Sequence, residues 1–146
     1  MNTNEVQYRA IKGNLEKFEQ AIANLEAATE EEGKTKRLSV ELDALRSQAD
    51  DLRAEIAEYE ELRSGTVSSL EADSLAELAT LLIKARIARG WTQRQLADAL
   101  GVAEQQVQRY ESSEYRSASL ARICDVATAL DIAVTERAVL AKRDAA

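Results

Sequence analysis

The sequence predicts an all-α fold of two parts, a long antiparallel helical hairpin followed by a group of five short helices. Three observations lead to this prediction. The 146 residues contain no Pro and only five Gly, so little interrupts a helix. The first half repeats apolar residues in alternating steps of three and four, which is typical of a coiled coil. The second half divides into shorter segments of helical period, separated by cap and turn residues.

Two heptad seams lie on either side of a polar segment, residues 30–37. The first seam consists of Tyr8, Ile11, Leu15, Phe18, Ile22, Leu25 and Thr29. The second consists of Leu38, Leu42, Leu45, Ala49, Leu52, Ile56 and Tyr59. Residues 1–64 are therefore expected to form an antiparallel coiled-coil helical hairpin, with each arm roughly 40 Å long at about 1.5 Å per residue. The turn is expected between Gly33 and Lys34.

One register of this hairpin pairs every seam residue with another seam residue. In that register the numbers of facing residues add up to 67, and Phe18 faces Ala49. The largest hydrocarbon side chain then lies opposite the smallest, as a core of constant volume requires. The register also predicts three pairs of opposite charge between the helices, which are Glu26 with Arg46, Glu19 with Arg53 and Lys12 with Glu60.

Residues 65–73 are the predicted linker, because the periodicity lapses there and small residues cluster. A second domain is expected over residues 74–140. Its first helix is capped by Asp73 and Ser74 and runs to about Arg89. The inner face of that helix is predicted to consist of Leu78, Leu81, Leu82 and Ala85. A later helix is expected to follow residues 117–119 and end at Leu130, a short fifth helix to follow Asp131, and residues 141–146 to form a frayed tail.

Two short helices joined by a turn are predicted between residues 92 and 112. Thr92 stands at the N-cap of a helix that ends near Leu100. Gly101 follows, where a left-handed residue without a Cβ ends a helix at little cost. The second helix spans about residues 103–112, with Val107 facing inward. Its opposite face carries long amide and guanidinium groups, which pair with the base edges of adenine and guanine.

Residues 74–134 resemble the DNA-binding domains of the Cro/phage-repressor (Xre) family. The similar features are the Gly90-x-Thr92-Gln93 start, Leu96-Ala97, the Gly101-Val102 turn, Val107 and Arg109-Tyr110-Glu111. This resemblance implies a five-helix, repressor-like helix-turn-helix domain that binds double-stranded operator DNA. It also implies that Arg86 and Glu111 form an internal ion pair, and Trp91 is expected to pack in the core.

The DNA contacts are assigned from the face of the second helix and from the resemblance. The predicted base-reading residues are Glu104, Gln105, Gln106 and Arg109. The predicted backbone or flanking contacts are Thr92, Gln93, Arg94, Gln108, Ser112, Tyr115 and Arg116. Two departures from the family pattern are Ala103 at the N-cap of the second helix and the acidic Glu114 in the following loop.

The composition argues against an enzyme. The chain has no His and a single Cys, so His-dependent catalysis and the common zinc sites lack their residues, and no cofactor or metal is expected. Cys124 falls in a periodic stretch and is predicted to be a small buried residue. One unpaired Cys, no apolar run of about 18 residues and no signal-peptide pattern predict a cytoplasmic protein without membrane contact.

The net charge of −7 is unevenly distributed. Residues 1–64 carry −6 of it, whereas residues 82–116 contain six basic and four acidic residues. One copy would therefore be drawn only weakly to phosphates, and a homodimer that doubles the contacts is expected.

Three classes of function follow. The favoured one is a transcriptional regulator, a dimeric repressor, and the resemblance to Hig-type antitoxins adds autorepression and a toxin held by the hairpin. The hairpin would then serve either for dimerisation or for binding a basic partner at its acidic residues 41–61, although such charges are also ordinary on a solvated helix. The alternative is a protein-interaction or scaffold module that no longer reads DNA. An enzyme comes last.

Overall fold

A computed structural model describes residues 1–32 and 35–140, and this part of the chain contains six helices and no strand. The helices are α1 (Glu5–Glu32), α2 (Lys36–Arg63), α3 (Leu75–Ala88), α4 (Gln93–Leu100), α5 (Glu104–Ser112) and α6 (Leu120–Ala129). The predicted all-α fold is confirmed. The predicted turn at Gly33 and Lys34 and the predicted frayed tail at 141–146 lie outside the described residues. No described helix has both the length and the apolar character needed to cross a bilayer.

The helices α1 and α2 form the predicted antiparallel hairpin. All three predicted ion pairs between them are present, Arg46 with Glu26 at 2.7 Å, Arg53 with Glu19 at 2.9 Å and Lys12 with Glu60 at 3.9 Å. At the open end of the hairpin, the rings of Tyr8 and Tyr59 stack with their centroids 5.1 Å apart. These contacts agree with the predicted register along most of the hairpin. Because the charged pairs are half-exposed, they select the register more than they stabilise it.

The layer around Ala49 offers a direct test of this register. Ala49 is fully buried, so replacing it with Phe should lower the free energy of unfolding by about 1–3 kcal/mol through overpacking. The same change at Ala44, which lies on the exposed side of α2, should have almost no effect in urea unfolding. If Phe18 faces Ala49, the exchanged variant F18A/A49F should recover part of the loss. Absence of any recovery would contradict this pairing.

The helix α3 lies between the hairpin and the rest of the C-terminal part, and this position buries it more widely than its pattern predicted. Of the four residues predicted for its inner face, only Leu82 and Ala85 are buried. The other buried apolar residues are Ala79, Ile83 and Ile87. Tyr59 and Leu62 of α2 belong to the same core cluster as the buried residues of α3, α5 and α6. The hairpin and the C-terminal helices thus share one core.

The predicted fifth short helix after Asp131 is absent, since residues 132–140 form no helix. The helix α6 ends at the C-cap residue Leu130, and Asp131 follows in the left-handed region with φ of 52°. The amide of Ile132 donates to the carbonyl of Ala127 at 3.0 Å and closes this end. The next residues include Val134 and Thr135, whose β-branched side chains disfavour a new helix. The C-terminal part therefore has four helices within the described residues.

Cys124 is exposed, so the prediction that it is a small buried residue is wrong. The inner face of α6 consists instead of Val126 and Leu130, which are at most 1% exposed, with Ile123 and Ala127 partly buried beside them. Cys124 lies two residues before Val126, which is a rotation of about 200° around the helix axis. Its side chain is therefore on the opposite, solvent-facing side of α6.

Candidate nucleic-acid interface

The helix α4 begins and ends at the predicted residues. Thr92 is its N-cap, and a capping box joins it to Gln95: the Thr92 hydroxyl accepts from the Gln95 amide at 3.1 Å, and the Gln95 side chain accepts from the Thr92 amide at 2.8 Å. Leu96 is fully buried. Gly101 ends the helix in the left-handed conformation, with φ of 68°. The predicted turn between the two short helices is confirmed.

Replacing Gly101 with Ala and replacing Gly13 with Ala should change the stability in opposite directions. A Cβ at Gly101 would meet no atom within 4 Å, so Gly101→Ala should cost only the left-handed backbone, about 1–2 kcal/mol of stability. The matched control is Gly13→Ala, because Gly13 lies inside α1 and also has free space around it. That change should stabilise the protein by about 0.5–1 kcal/mol. Thermal unfolding of both variants measures these two changes. Equal shifts in the melting temperature would contradict the left-handed conformation of Gly101.

The helix α5 presents the predicted polar face opposite a buried one. Val107 is fully buried, whereas Gln105, Gln108 and Arg109 are exposed on the other side. The remaining two predicted residues, Glu104 and Gln106, are partly buried. The side-chain amide of Gln108 donates to the Glu104 carboxylate at 3.4 Å, one turn away. Ala103 provides no side-chain cap for α5, as its residue type predicted.

A buried ion pair fixes α5 on α3. Arg86 donates to both carboxylate oxygens of Glu111, through Nε at 2.6 Å and Nη2 at 2.8 Å, and both side chains are nearly inaccessible to solvent. Two further donors are also used: Nη1 donates to the carbonyl of Trp91 at 2.6 Å and Nη2 to the carbonyl of Thr3 at 2.6 Å. The predicted internal pair is confirmed. Bidentate geometry with satisfied donors is what a buried pair needs to offset its loss of hydration.

Five of the residues predicted to contact the DNA backbone are exposed near the two short helices. They are Thr92, Arg94, Gln108, Ser112 and Arg116. The guanidinium of Arg116 pairs with the Glu114 carboxylate at 2.9 Å, so the acidic residue noted in the sequence neutralises it. Trp91 is partly buried against the core, as expected.

The structure places Tyr115 in the core, which corrects its assignment as a backbone contact. Its side chain is 2% exposed, and its ring stacks on Tyr110 with the centroids 5.8 Å apart. Burial, and to a smaller extent the nearby Glu111 carboxylate, raises the pKa of Tyr115. Glu114 and Tyr115 both have positive φ, 49° and 57°, and this sharp turn directs the ring inward.

Gln93 is also buried, with 7% of its surface exposed. Its side-chain amide donates to Glu111 at 2.8 Å, and its carbonyl oxygen accepts from the Asn4 side chain at 3.5 Å. Thr3 and Asn4 were not predicted to lie at this site. No local pattern could have placed them there. Asn4 is 89 residues from Gln93 in the sequence, and Thr3 is 83 residues from Arg86.

Comparison with known protein families matched residues 82–137 to the helix-turn-helix family. This similarity covers 56 of the 146 residues. The matched segment includes α4, the turn at Gly101 and α5, and it leaves the hairpin outside. No curated protein and no solved structure matched the chain.

The basic residues of the helix-turn-helix are unequally available for phosphates. Lys84 pairs with Glu58 of the hairpin at 2.5 Å, and Arg86 is buried. Arg94 and Arg109, on α4 and α5, are exposed. Few positive charges of the chain therefore face solvent at the helix-turn-helix, and counterion release would favour DNA binding only modestly.

Proposed function

We propose that this protein is a sequence-specific DNA-binding transcriptional regulator that inserts α5 into the major groove of double-stranded DNA. The observation that carries the proposal is the two-sided character of α5. Val107 and Glu111 fix one side to the core, and Gln105 and Arg109 are exposed on the other. An α-helix fits the major groove, and amide and guanidinium groups read base edges there.

Within this proposal, the residues divide into base-reading and backbone contacts. Bases are read by Glu104, Gln105, Gln106 and Arg109. The phosphate backbone is contacted by Thr92, Gln93, Arg94, Gln108, Ser112 and Arg116. Glu104 accepts from a cytosine amino group, and the three remaining base readers donate to purine edges. Backbone contacts set the position of α5 on the duplex, and the base contacts discriminate among sequences.

We further infer that the regulator is a dimeric repressor. The modest positive charge of one helix-turn-helix is the main support, since two copies double both the phosphate contacts and the base pairs read. The hairpin, as a coiled coil of residues 1–64, would join two copies so that their α5 helices lie about one DNA turn apart, roughly 34 Å. A dimer bound across a promoter would exclude the polymerase.

The test is selection of duplexes from a randomised library, followed by gel-shift titration of a selected duplex and a scrambled one at two salt concentrations. We expect the selected duplex to bind at least 10³-fold more tightly, about the lower bound for specific recognition. Both affinities should fall as the salt concentration rises. Equal affinity for the two duplexes would refute sequence reading and favour an interaction or scaffold module.

A second candidate function is an antitoxin that represses its own operon and holds a basic toxin on the hairpin. It is favoured by exposed carboxylates on α2, such as Glu41, Asp51 and Glu61, which form no ion pair with α1 among the described residues. Co-purification of the chain with the product of an adjacent small reading frame tests it. The charge-reversed variant E41K/D51K should then lose the complex but retain DNA binding, and an unaffected complex would place the partner elsewhere.

A further inference from the structure

We propose that residues 2–4 form an autoinhibitory clasp over the start of α4, and that specific DNA displaces this clasp when it binds. The inference rests on the proposed function, because it concerns the regulation of the same interface. Residues 2–4 directly precede α1, and Thr3 and Asn4 contact Arg86 of α3 and Gln93 of α4, although they belong to the hairpin in sequence.

The clasp occupies the polar atoms of a predicted phosphate contact. The Gln93 side chain accepts from Asn4 at 3.5 Å and donates to Glu111 at 2.8 Å, and it is 7% exposed. The carbonyl of Thr3 accepts from Arg86 at 2.6 Å in the same network. With residues 2–4 in place, a phosphate cannot reach Gln93 at the N terminus of α4.

The clasp and the predicted DNA surface share one cleft. Thr3 and Asn4 line this cleft together with Thr92, Gln93, Gln108 and Ser112. The last four belong to the predicted set of backbone contacts. A DNA strand that follows those four residues would have to enter the cleft that Thr3 and Asn4 line, so the DNA and the clasp compete for it.

The docked clasp carries a cost that its release would remove. Asn2 is 2% exposed, and both polar atoms of its side chain lie buried without a hydrogen-bond partner. Burial of unsatisfied polar groups is costly, and hydration of Asn2 on release recovers that cost. A purely structural contact would be expected to satisfy these atoms. Release of the segment would hydrate Asn2 and break the hydrogen bonds from Arg86 to Thr3 and from Asn4 to Gln93.

The experiment uses a thiol at the buried position as a reporter. In a C124S background, the variant N2C removes only unpaired polar atoms, so the chain should fold and keep the new thiol protected. Its rate of reaction with a small maleimide is measured alone, with the selected duplex and with the scrambled duplex. We expect the selected duplex to raise the rate at least 10-fold. The matched control N24C, exposed on α1, should react rapidly in all three cases.

An affinity measurement supports the reporter. Asn4→Ser keeps a side-chain acceptor for the Gln7 amide at the start of α1, but it is too short to reach Gln93. Loss of one hydrogen bond that holds the clasp should tighten specific DNA binding by about 2- to 10-fold. Asn24→Ser, at an exposed site of the same helix, should leave the affinity unchanged.

The outcomes separate the clasp from the proposed function. If the selected duplex binds but leaves the N2C thiol protected, DNA binding stands and the clasp is overturned. Equal or weaker affinity of Asn4→Ser would likewise overturn it. If neither the wild type nor Asn4→Ser prefers any duplex, the proposed function itself fails, and the clasp fails with it.

Discussion

Replacing Arg86 with Ala should destabilise the protein by about 3–5 kcal/mol, the largest loss of stability expected from a single substitution in this chain. The variant leaves the Glu111 carboxylate, fully buried, without the guanidinium that neutralises it. It also removes the donors that satisfy the carbonyls of Trp91 and Thr3. Urea unfolding followed by circular dichroism measures the loss.

Two comparison variants make this prediction specific. Arg116→Ala breaks a pair whose guanidinium is 82% exposed, so it should change the stability by less than about 1 kcal/mol. The double variant R86M/E111L removes both charges and replaces them with apolar side chains of similar size. It should recover most of the stability lost in Arg86→Ala, because no unpaired charge stays buried. An Arg86→Ala protein as stable as the wild type would contradict the structural role of this pair.

The double variant Q105A/R109A should lose specific DNA binding by about 30-fold or more while the fold stays intact. A good bidentate contact to a base discriminates by about 1–3 kcal/mol, and two such contacts are removed. Both side chains are exposed, so their truncation should leave the unfolding transition unchanged. Gel-shift titration with the selected and the scrambled duplex measures the effect, and the difference between the two duplexes should shrink.

The matched control is Q48A/R37A, which removes the same residue types from exposed positions of α2. Its affinity for the selected duplex should equal that of the wild type. If Q105A/R109A retains the wild-type preference between the duplexes, the exposed face of α5 does not read bases. A uniform loss on both duplexes would instead assign these two residues to the DNA backbone.

The local features of this protein could be predicted because they depend on residues close together in sequence. The cap at Thr92, the left-handed Gly101 and the buried Val107 are set by hydrogen bonding, backbone sterics and helical period within a few residues. The hairpin register was also predictable, although its contacts span up to 58 residues, because each helix carries a regular repeat that fits the repeat of the other.

The errors arose where the residue types do not decide which side chain is buried. Tyr115 faces the core because two consecutive left-handed residues turn the loop inward, and nothing in their residue types signals that turn. Cys124 is exposed because Val126 and Leu130 form the inner face of α6. The wide burial of α3 required knowledge that α2 packs against it.

The sequence by itself determined the helices, the pairing of α1 with α2 and the helix-turn-helix pattern, since each of these follows from periodicity and capping. Only the tertiary structure decided that the residues before α1 reach Gln93 and Arg86, at the start of the predicted DNA interface. The physical reason is that such contacts depend on how the hairpin docks on α3. Docking follows from the shape and polarity of whole surfaces, which no short stretch of sequence specifies.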